Sequence, residues 1–218
     1  MSQLSIDLLP LFKFSFGQYK KYASFIVGAM LTYLVLGIIP QVYLMLQSPQ
    51  TPTNSQQFVS FLLTMFQLFL GLGFTKIMLQ LVQDKFVEVA DMFNNFKLFL
   101  SYFVASFLYG FGVMLGTFLL VLPGIFIAIR FQFYPYFILE EGVSSFTALR
   151  KSYDLSQDLT LELFLLGIVI VALNVAGIFL FGVGIIITYP LTTMATAIVY
   201  KSLTEEETEG IPSTSYRQ

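Results

Sequence analysis

Apolar residues occur in six long runs separated by polar segments, and this pattern predicts membrane crossings. A bilayer hydrocarbon core about 30 Å thick requires roughly 20 apolar residues in each helix. The runs lie near residues 22–46, 58–82, 98–121, 125–139, 160–180 and 184–203, and the fourth is the shortest. The sequence therefore predicts an all-α fold class, a polytopic transmembrane helical bundle of six spans over residues 1–203. We expect the polar tail at 204–218 to be disordered.

Three segments outside the spans are predicted to form amphipathic helices at the membrane interface. In the second, apolar residues recur at i, i+3, i+4 and i+7: Phe86, Val89, Ala90 and Phe93. In the third, Ser144 or Ser145 can cap the N-terminus of a helix. The predicted interfacial helices lie near 4–19, 84–96 and 145–156, and each precedes a hairpin of two spans.

The charged residues gather in segments on one side of the predicted spans. Three lysines precede the first span, and the segments 84–97 and 140–162 carry most of the other charges. The loops between the members of each hairpin, within 47–57, 122–124 and 181–183, carry no charge. Because positive charge favours the cytoplasmic side, we expect both termini in the cytoplasm. Lys76 and Arg130 do not follow this rule, since they lie within predicted spans.

The composition excludes several kinds of chemistry. The chain is 56% hydrophobic and 11% charged, whereas soluble domains carry roughly 25% charged residues. It contains no Cys and no His, so neither a disulfide framework nor thiolate or imidazole chemistry is expected. We accordingly expect no metal, no cofactor and no enzymatic activity. The absence of a basic patch argues against a nucleic-acid partner.

One region carries a family resemblance. The distinctive residues are Leu-Pro-Gly-Ile-Phe-Ile-Ala-Ile-Arg at 122–130, Phe-Gln-Phe-Tyr-Pro-Tyr-Phe-Ile-Leu-Glu-Glu-Gly at 131–142 and Ala-Leu-Arg-Lys-Ser-Tyr-Asp-Leu-Ser at 148–156, with Phe-Ser-Phe-Gly-Gln-Tyr-Lys-Lys at 14–21. The chain resembles the bacterial membrane domain associated with glycerophosphoryl diester phosphodiesterases, and its relatives among uncharacterised six-helix membrane proteins. The resemblance implies a multi-pass protein of the bacterial cytoplasmic (inner) membrane. In fused members the phosphodiesterase residues lie in a separate soluble domain, so we do not expect that activity here. Gln157 and Asp158 stand where the family often has glycine and basic residues, so we do not expect this linker to bind anionic lipid.

Three polar residues within spans are candidate ligand or lipid contacts: Arg130, Asn174 and Lys76. An ionised residue within a span is costly and is a functional hypothesis by default. The structural alternatives for Arg130 are snorkelling to the interface and hydrogen bonds to carbonyls freed near Pro135. Snorkelling also explains Lys76, and Asn174 is expected to hydrogen bond a neighbouring helix.

Other patterns indicate packing or solvated surface. Small residues at helical spacing predict close helix contact at Gly110, Gly112, Gly116, Ala172 and Ala176. Asp154, Asp158 and Glu162 are spaced to line one face of a continuous helix, most simply as a solvated stripe.

The main functional prediction is a non-catalytic accessory or scaffolding subunit of a membrane complex, whose partners are the lipid bilayer and other membrane proteins. The alternative is a small transporter or a protein that handles lipids or other amphiphiles. An intramembrane enzyme is the third interpretation, and it lacks a cluster of reactive side chains.

Overall fold

The computed structural model describes residues 6–47, 53–180 and 183–209. Within these ranges the chain is all-helical and has no strand, which confirms the all-α part of the predicted fold class. The helices are α1 (Leu8–Lys21), α2 (Ala23–Tyr33), α3 (Ile39–Gln47), α4 (Asn54–Val82), α5 (Phe96–Leu119), α6 (Val121–Arg130), α7 (Tyr134–Glu141), α8 (Ser145–Leu155), α9 (Thr160–Phe179) and α10 (Ile185–Glu209). A π-helical segment, Leu34–Ile38, joins α2 to α3, and a 3-10 helix, Val89–Phe93, lies between α4 and α5.

Five helical segments in the described ranges are long and apolar enough to cross a membrane. They are Ala23–Gln47, Asn54–Val82, Phe96–Leu119, Val121–Glu141 and Thr160–Phe179. These match the first five predicted spans and indicate a membrane protein. The sixth predicted span coincides with α10, which is not among the five, so its crossing of the membrane stays a prediction.

Two of the spanning segments are interrupted near a proline. Pro40 is the second residue of α3, separated from the π-helical segment only by Ile39, and Pro135 lies in the first turn of α7. A proline has no N–H to donate to the preceding turn, which favours a kink or a break at that point. The fourth span therefore consists of α6 and α7, joined by the turn at 131–133.

Glycines bring the two members of a hairpin together at their tips. A Cβ on Gly116 of α5 would lie 2.8 Å from the backbone nitrogen of Gly124 on α6. In the same way, a Cβ on Gly184 would lie 2.8 Å from the Cα of Gly177 on α9. Both contacts are therefore possible only without a side chain. The two hairpins thus share the same kind of close contact between glycines.

Only some of the small residues predicted to pack between helices have a close neighbour on another helix. Gly112 contacts Ile127, whereas Gly110 has no neighbour within 4 Å of a Cβ placed there. Ala172 and Ala176 are exposed, so a helix contact at these two positions is not seen within the described ranges and stays a prediction. Gly177, one residue beyond Ala176, makes the contact instead. Spacing alone identified small residues but could not show which side of the helix faces its neighbour.

The segment after α4 differs from the predicted amphipathic helix near 84–96. Only Val89–Phe93 is helical, and it is a 3-10 helix. Phe86, predicted on the apolar face, is 88% exposed, whereas Met92 is fully buried. The cause lies at Asp84, whose positive φ of 53° ends α4. In this left-handed conformation the chain turns back, and the Met92 backbone lies against Gly73.

The other two predicted interfacial segments are helical. α1 covers most of 4–19 and extends to Lys21, and residues 1–5 lie outside the described ranges. α8 covers 145–155, with Ser144 at its N-cap. Their position at a membrane interface stays a prediction. The tail is likewise untested beyond residue 209, but residues 204–209 continue α10 instead of beginning a disordered segment.

The buried side chains form two clusters. One is rich in aromatic residues and centres on α7 and α10, where Phe133, Tyr136 and Phe137 contact the ring of Tyr200. The other joins α2, α4 and the 3-10 helix through residues such as Phe74 and Met92. The first cluster holds α7 firmly in place, and α7 directly follows the break after Arg130.

Candidate functional site

Arg130 is the last residue of α6 and lies at the break in the fourth span. The break frees backbone groups that a continuous helix would have paired. A side chain of α8 satisfies two of them. The Ser152 hydroxyl accepts a hydrogen bond from the Phe133 N–H at 3.0 Å and donates one to the Arg130 carbonyl oxygen, also at 3.0 Å. α8 is thereby fixed against the point where α6 ends.

The Arg130 side chain is buried, with 8% of the residue exposed. Its guanidinium carbon lies 5.0 Å from the centre of the Phe126 ring and 5.1 Å from that of Tyr153. Phe126 is one helical turn earlier on α6, and Tyr153 comes from α8. The guanidinium is thus held beside two aromatic rings from separate helices.

No hydrogen bond or ion pair joins the guanidinium to another residue in the described ranges. The Nε and Nη1 atoms are both buried and without a partner there. This burial does not fit the snorkelling alternative, and the unpaired nitrogens do not fit bonds to freed carbonyls. The assignment of Arg130 as a ligand contact stays a prediction.

The contacts described above do not offset the free energy that it costs to bury the charge of Arg130. Removing an ion from water costs several kcal/mol even after relaxation. A buried donor left unpaired costs about 1–3 kcal/mol, more where the group is charged. Against this, cation–π contacts contribute about 0.5–2 kcal/mol and a position at a helix C-terminus about 0.3–1 kcal/mol. An oxyanion within hydrogen-bonding distance would supply the missing partner.

Lys76 lines a separate open cleft, of about 450 Å³, at the end where α4 and α7 terminate. Its polar lining residues are Lys76, Gln80, Gln83, Lys85, Glu140 and Glu141. Glu140 pairs with Lys201 at 3.3 Å and also accepts a hydrogen bond from Gln83, while Glu141 pairs with Lys151. In the part of the chain that the structure describes, Lys76 and Lys85 have no such partner.

Asn174 joins two helices. Its side-chain nitrogen donates to the Ile170 carbonyl at 2.9 Å and to the Thr192 hydroxyl at 3.1 Å. The second bond runs from α9 to α10, as expected for a polar residue within a span. These bonds account for the side-chain nitrogen of Asn174, whereas its side-chain oxygen is buried without a partner in the described ranges, and the residue lies outside both candidate sites.

The predicted acidic stripe does not form. α8 ends at Leu155 and α9 begins at Thr160, so Asp154, Asp158 and Glu162 do not share one continuous helix. Asp154 instead lies 3.9 Å from Arg150 in an exposed pair. The residues of the described ranges contain no group of three side chains suited to hold a metal ion.

A charged contact joins α1 to the residue that ends α4. The Lys21 ammonium lies 2.6 Å from the Asp84 carboxylate, and the Tyr22 hydroxyl donates to the same oxygen at 2.9 Å. The hydrogen bonds from Lys21 and then Tyr22 lower the pKa of Asp84, and the bond to Asp84 raises the pKa of Lys21. Both groups are therefore charged throughout the neutral range.

Sequence reasoning identified Arg130 and Lys76 but missed the residues around them. Ser152 and Tyr153 reach Arg130 only because α8 folds back against α6 and α7. A signal was available, because Ser145, Ala148 and Ser152 place small residues along one face of α8, and all three are buried. Phe126 precedes Arg130 by four residues, the spacing at which helical side chains meet.

No family model, curated protein or solved structure matches this chain. The resemblance to the membrane domain associated with glycerophosphoryl diester phosphodiesterases stays a prediction.

Proposed function

We propose that this chain is a multi-pass membrane protein that binds an anionic amphiphile through Arg130. The observation that carries the proposal is the buried guanidinium with two unpaired nitrogens, beside Phe126 and Tyr153. A guanidinium binds carboxylate and phosphate oxygens well because its donors are planar and fixed in direction. We assign the ligand's headgroup to this oxyanion class and assign no chemical reaction to the site.

Access from the bilayer supports an amphiphile over a soluble anion. The Phe126 ring covers Arg130 yet is itself 42% exposed, within a segment apolar enough to span a membrane. On α5, the helix paired with α6, apolar side chains such as Phe111 and Leu115 are also exposed. An acyl chain can therefore lie along this surface while its headgroup reaches the guanidinium beside Phe126.

The complete topology belongs to the same proposal. We infer six spans, with α10 as the last, both termini in the cytoplasm and a location in the bacterial inner membrane. The asymmetric charges support the orientation. The contact between Gly177 and Gly184 and the hydrogen bond from Asn174 to Thr192 support a position of α10 alongside α9.

Single introduced cysteines test this topology, because the chain has none of its own. Val183→Cys and Glu205→Cys lie at exposed positions near the two ends of α10. A membrane-impermeant maleimide is expected to label Val183→Cys in intact cells and Glu205→Cys only after permeabilisation. Equal labelling of both in intact cells would contradict a sixth span.

A titration with matched amphiphiles tests the role of Arg130. Oleate is added to the purified protein in mild detergent, with oleyl alcohol as the uncharged control, and the thermal unfolding midpoint is measured. We expect oleate to raise the midpoint of the wild-type protein most, that of Arg130→Lys less because an ammonium lacks the planar donors, and that of Arg130→Leu not at all. Equal responses to oleate in the wild type and Arg130→Leu would overturn the proposal.

A second candidate, the accessory subunit of a membrane complex, is favoured by the outer face of α8. Phe146 on this face is 71% exposed, and Arg150 and Lys151 on the same helix are also exposed. Aromatic residues and arginine are enriched at protein–protein interfaces. If this role is correct, a membrane protein that co-purifies with the wild type in stoichiometric amount will be lost from Phe146→Ser.

A further inference from the structure

The cleft beside Lys76 carries a surplus of positive charge. Two lysines and two glutamates line it, yet each glutamate is already paired with a lysine from outside the lining set. Lys201 pairs with Glu140 and also, at 3.7 Å, with the exposed Glu205, and Lys151 pairs with Glu141, so these four lysines face three glutamates. Lys76 and Lys85 are therefore left to attract an anion, and no described residue provides one within ion-pair distance.

The position of the cleft fits a charged headgroup. Lys76 lies two turns before the end of a helix apolar enough to span a membrane, and Lys85 lies three residues beyond that end. The cleft is therefore at the depth where an apolar span gives way to polar chain. Lipid phosphates occupy this depth in a bilayer, and lysine is a common phosphate ligand.

The remaining lining groups favour an anion that also carries hydroxyl groups. Gln80 has a buried side-chain oxygen without a hydrogen-bond partner in the described ranges, and it needs a donor. Glu140 and Glu141 add further acceptor oxygens at the rim. A bare phosphate offers little to these acceptors, whereas a glycerol or sugar hydroxyl beside the phosphate can donate to them.

We infer that this cleft binds a phosphate that bears a hydroxylated substituent, with Lys76 and Lys85 holding the phosphate and Gln80 accepting from a hydroxyl. Such a group can come from a lipid headgroup or from a soluble phosphate ester. This inference does not rest on the Arg130 proposal, because the two sites share none of the residues that define them.

The test uses the purified full chain in mild detergent and native mass spectrometry. The probes are dioleoylphosphatidylglycerol, which has phosphate and hydroxyls, and dioleoylglycerol, which lacks the phosphate. The Lys76→Gln/Lys85→Gln double variant is compared with wild type and with Lys97→Gln, an exposed lysine outside the cleft. We expect the double variant to lose about tenfold or more in affinity for phosphatidylglycerol, the size of one lost charged hydrogen bond, while Lys97→Gln binds as wild type.

Further variants separate the possible outcomes. Lys76→Arg/Lys85→Arg is expected to retain binding, which shows that the loss in the glutamine variant is one of charge and not of fold. Because phosphatidylglycerol also belongs to the ligand class assigned to Arg130, the cleft variants are measured again in the Arg130→Leu background, where only binding at the cleft remains and the two sites can fail independently. If added glycerol 3-phosphate competes with phosphatidylglycerol, a soluble phosphate ester is the source of the bound group. If it does not compete, the source is a lipid headgroup. Equal binding of phosphatidylglycerol by the wild type and the glutamine variant would overturn the inference. It would also be overturned if the wild type bound dioleoylglycerol as tightly as phosphatidylglycerol.

Discussion

The Ser152 hydroxyl donates a hydrogen bond to the carbonyl oxygen of Arg130 at 3.0 Å, which joins α8 to the end of α6. The same hydroxyl accepts from the Phe133 N–H on the other side of the break. One small side chain thus pairs two backbone groups within an otherwise apolar span. The contact also fixes the next residue, Tyr153, whose ring lies beside the guanidinium.

Replacing Ser152 with Ala is therefore expected to destabilise the protein. It leaves a buried N–H and a buried carbonyl without a partner, at a cost of about 1–3 kcal/mol each. Ser156→Ala is the matched control, because the Ser156 hydroxyl is also buried but bonds only the Ser152 carbonyl one turn earlier. Reversible unfolding in mixed micelles measures both. Equal effects of the two substitutions would show that Ser152 does not support the break.

The glycine contact at the tip of the α5–α6 hairpin gives a second prediction. Gly116→Ala places a methyl group against the backbone of Gly124, and overpacking of this kind costs about 1–3 kcal/mol. Gly110→Ala, on the same helix, meets nothing within 4 Å and is expected to be neutral or stabilising by up to about 1 kcal/mol. Unfolding free energies of the two variants decide this. If Gly116→Ala did not lower the free energy of unfolding, the close approach of Gly116 to Gly124 would be contradicted.

The contact between Lys21 and Asp84 predicts a dependence on pH. The pKa of Asp84 is lowered from its usual 3.8, so its contribution to stability is complete above that value and is lost as pH falls through the folded-state pKa. The pKa of Lys21 is raised from 10.5, so its contribution is present below 10.5 and is lost as pH rises through the folded-state pKa. The contact is therefore at full strength between these limits.

Asp84→Asn tests this contact, because asparagine also tolerates the positive φ at this position. We expect the difference in thermal stability between wild type and Asp84→Asn to be constant through the neutral range and to vanish in strong acid. Asp154→Asn is the control, since its partner Arg150 is 3.9 Å away and exposed. A difference that grows as pH falls below 3.8 would have the wrong sign for this account.

The sequence predicted the helical class and six spans, of which the first five match helices long enough to cross, because bilayer thickness sets a minimum length for an apolar run. It failed after α4, where four apolar residues matched a helical period by chance. No periodicity shows that Asp84 adopts a left-handed conformation, since that depends on the turn and its contacts. The same limit explains Ala176 and Gly177, because spacing does not indicate which face of α9 meets α10.

The candidate site was predictable only in part, for a related reason. An arginine within an apolar run is conspicuous, so Arg130 could be singled out from the sequence alone. The residues around it come from α8, which folds back and packs against the break between α6 and α7. Such packing between distant parts of the chain is not visible in the sequence. The cleft at Lys76 is similar, because Lys76, Lys85 and Glu140 come together only when the ends of α4 and α7 lie side by side.

The most direct test of the central claim is lipid mass spectrometry of the protein extracted from its native membrane with mild detergent. The account predicts that the wild type retains a carboxylate- or phosphate-bearing amphiphile in stoichiometric amount and that Arg130→Lys keeps it. Arg130→Leu is expected to lose that molecule while keeping its helical content and any lipid held at the Lys76 cleft. An identical set of retained anionic lipids in the wild type and Arg130→Leu would contradict the assignment of Arg130 as the headgroup site.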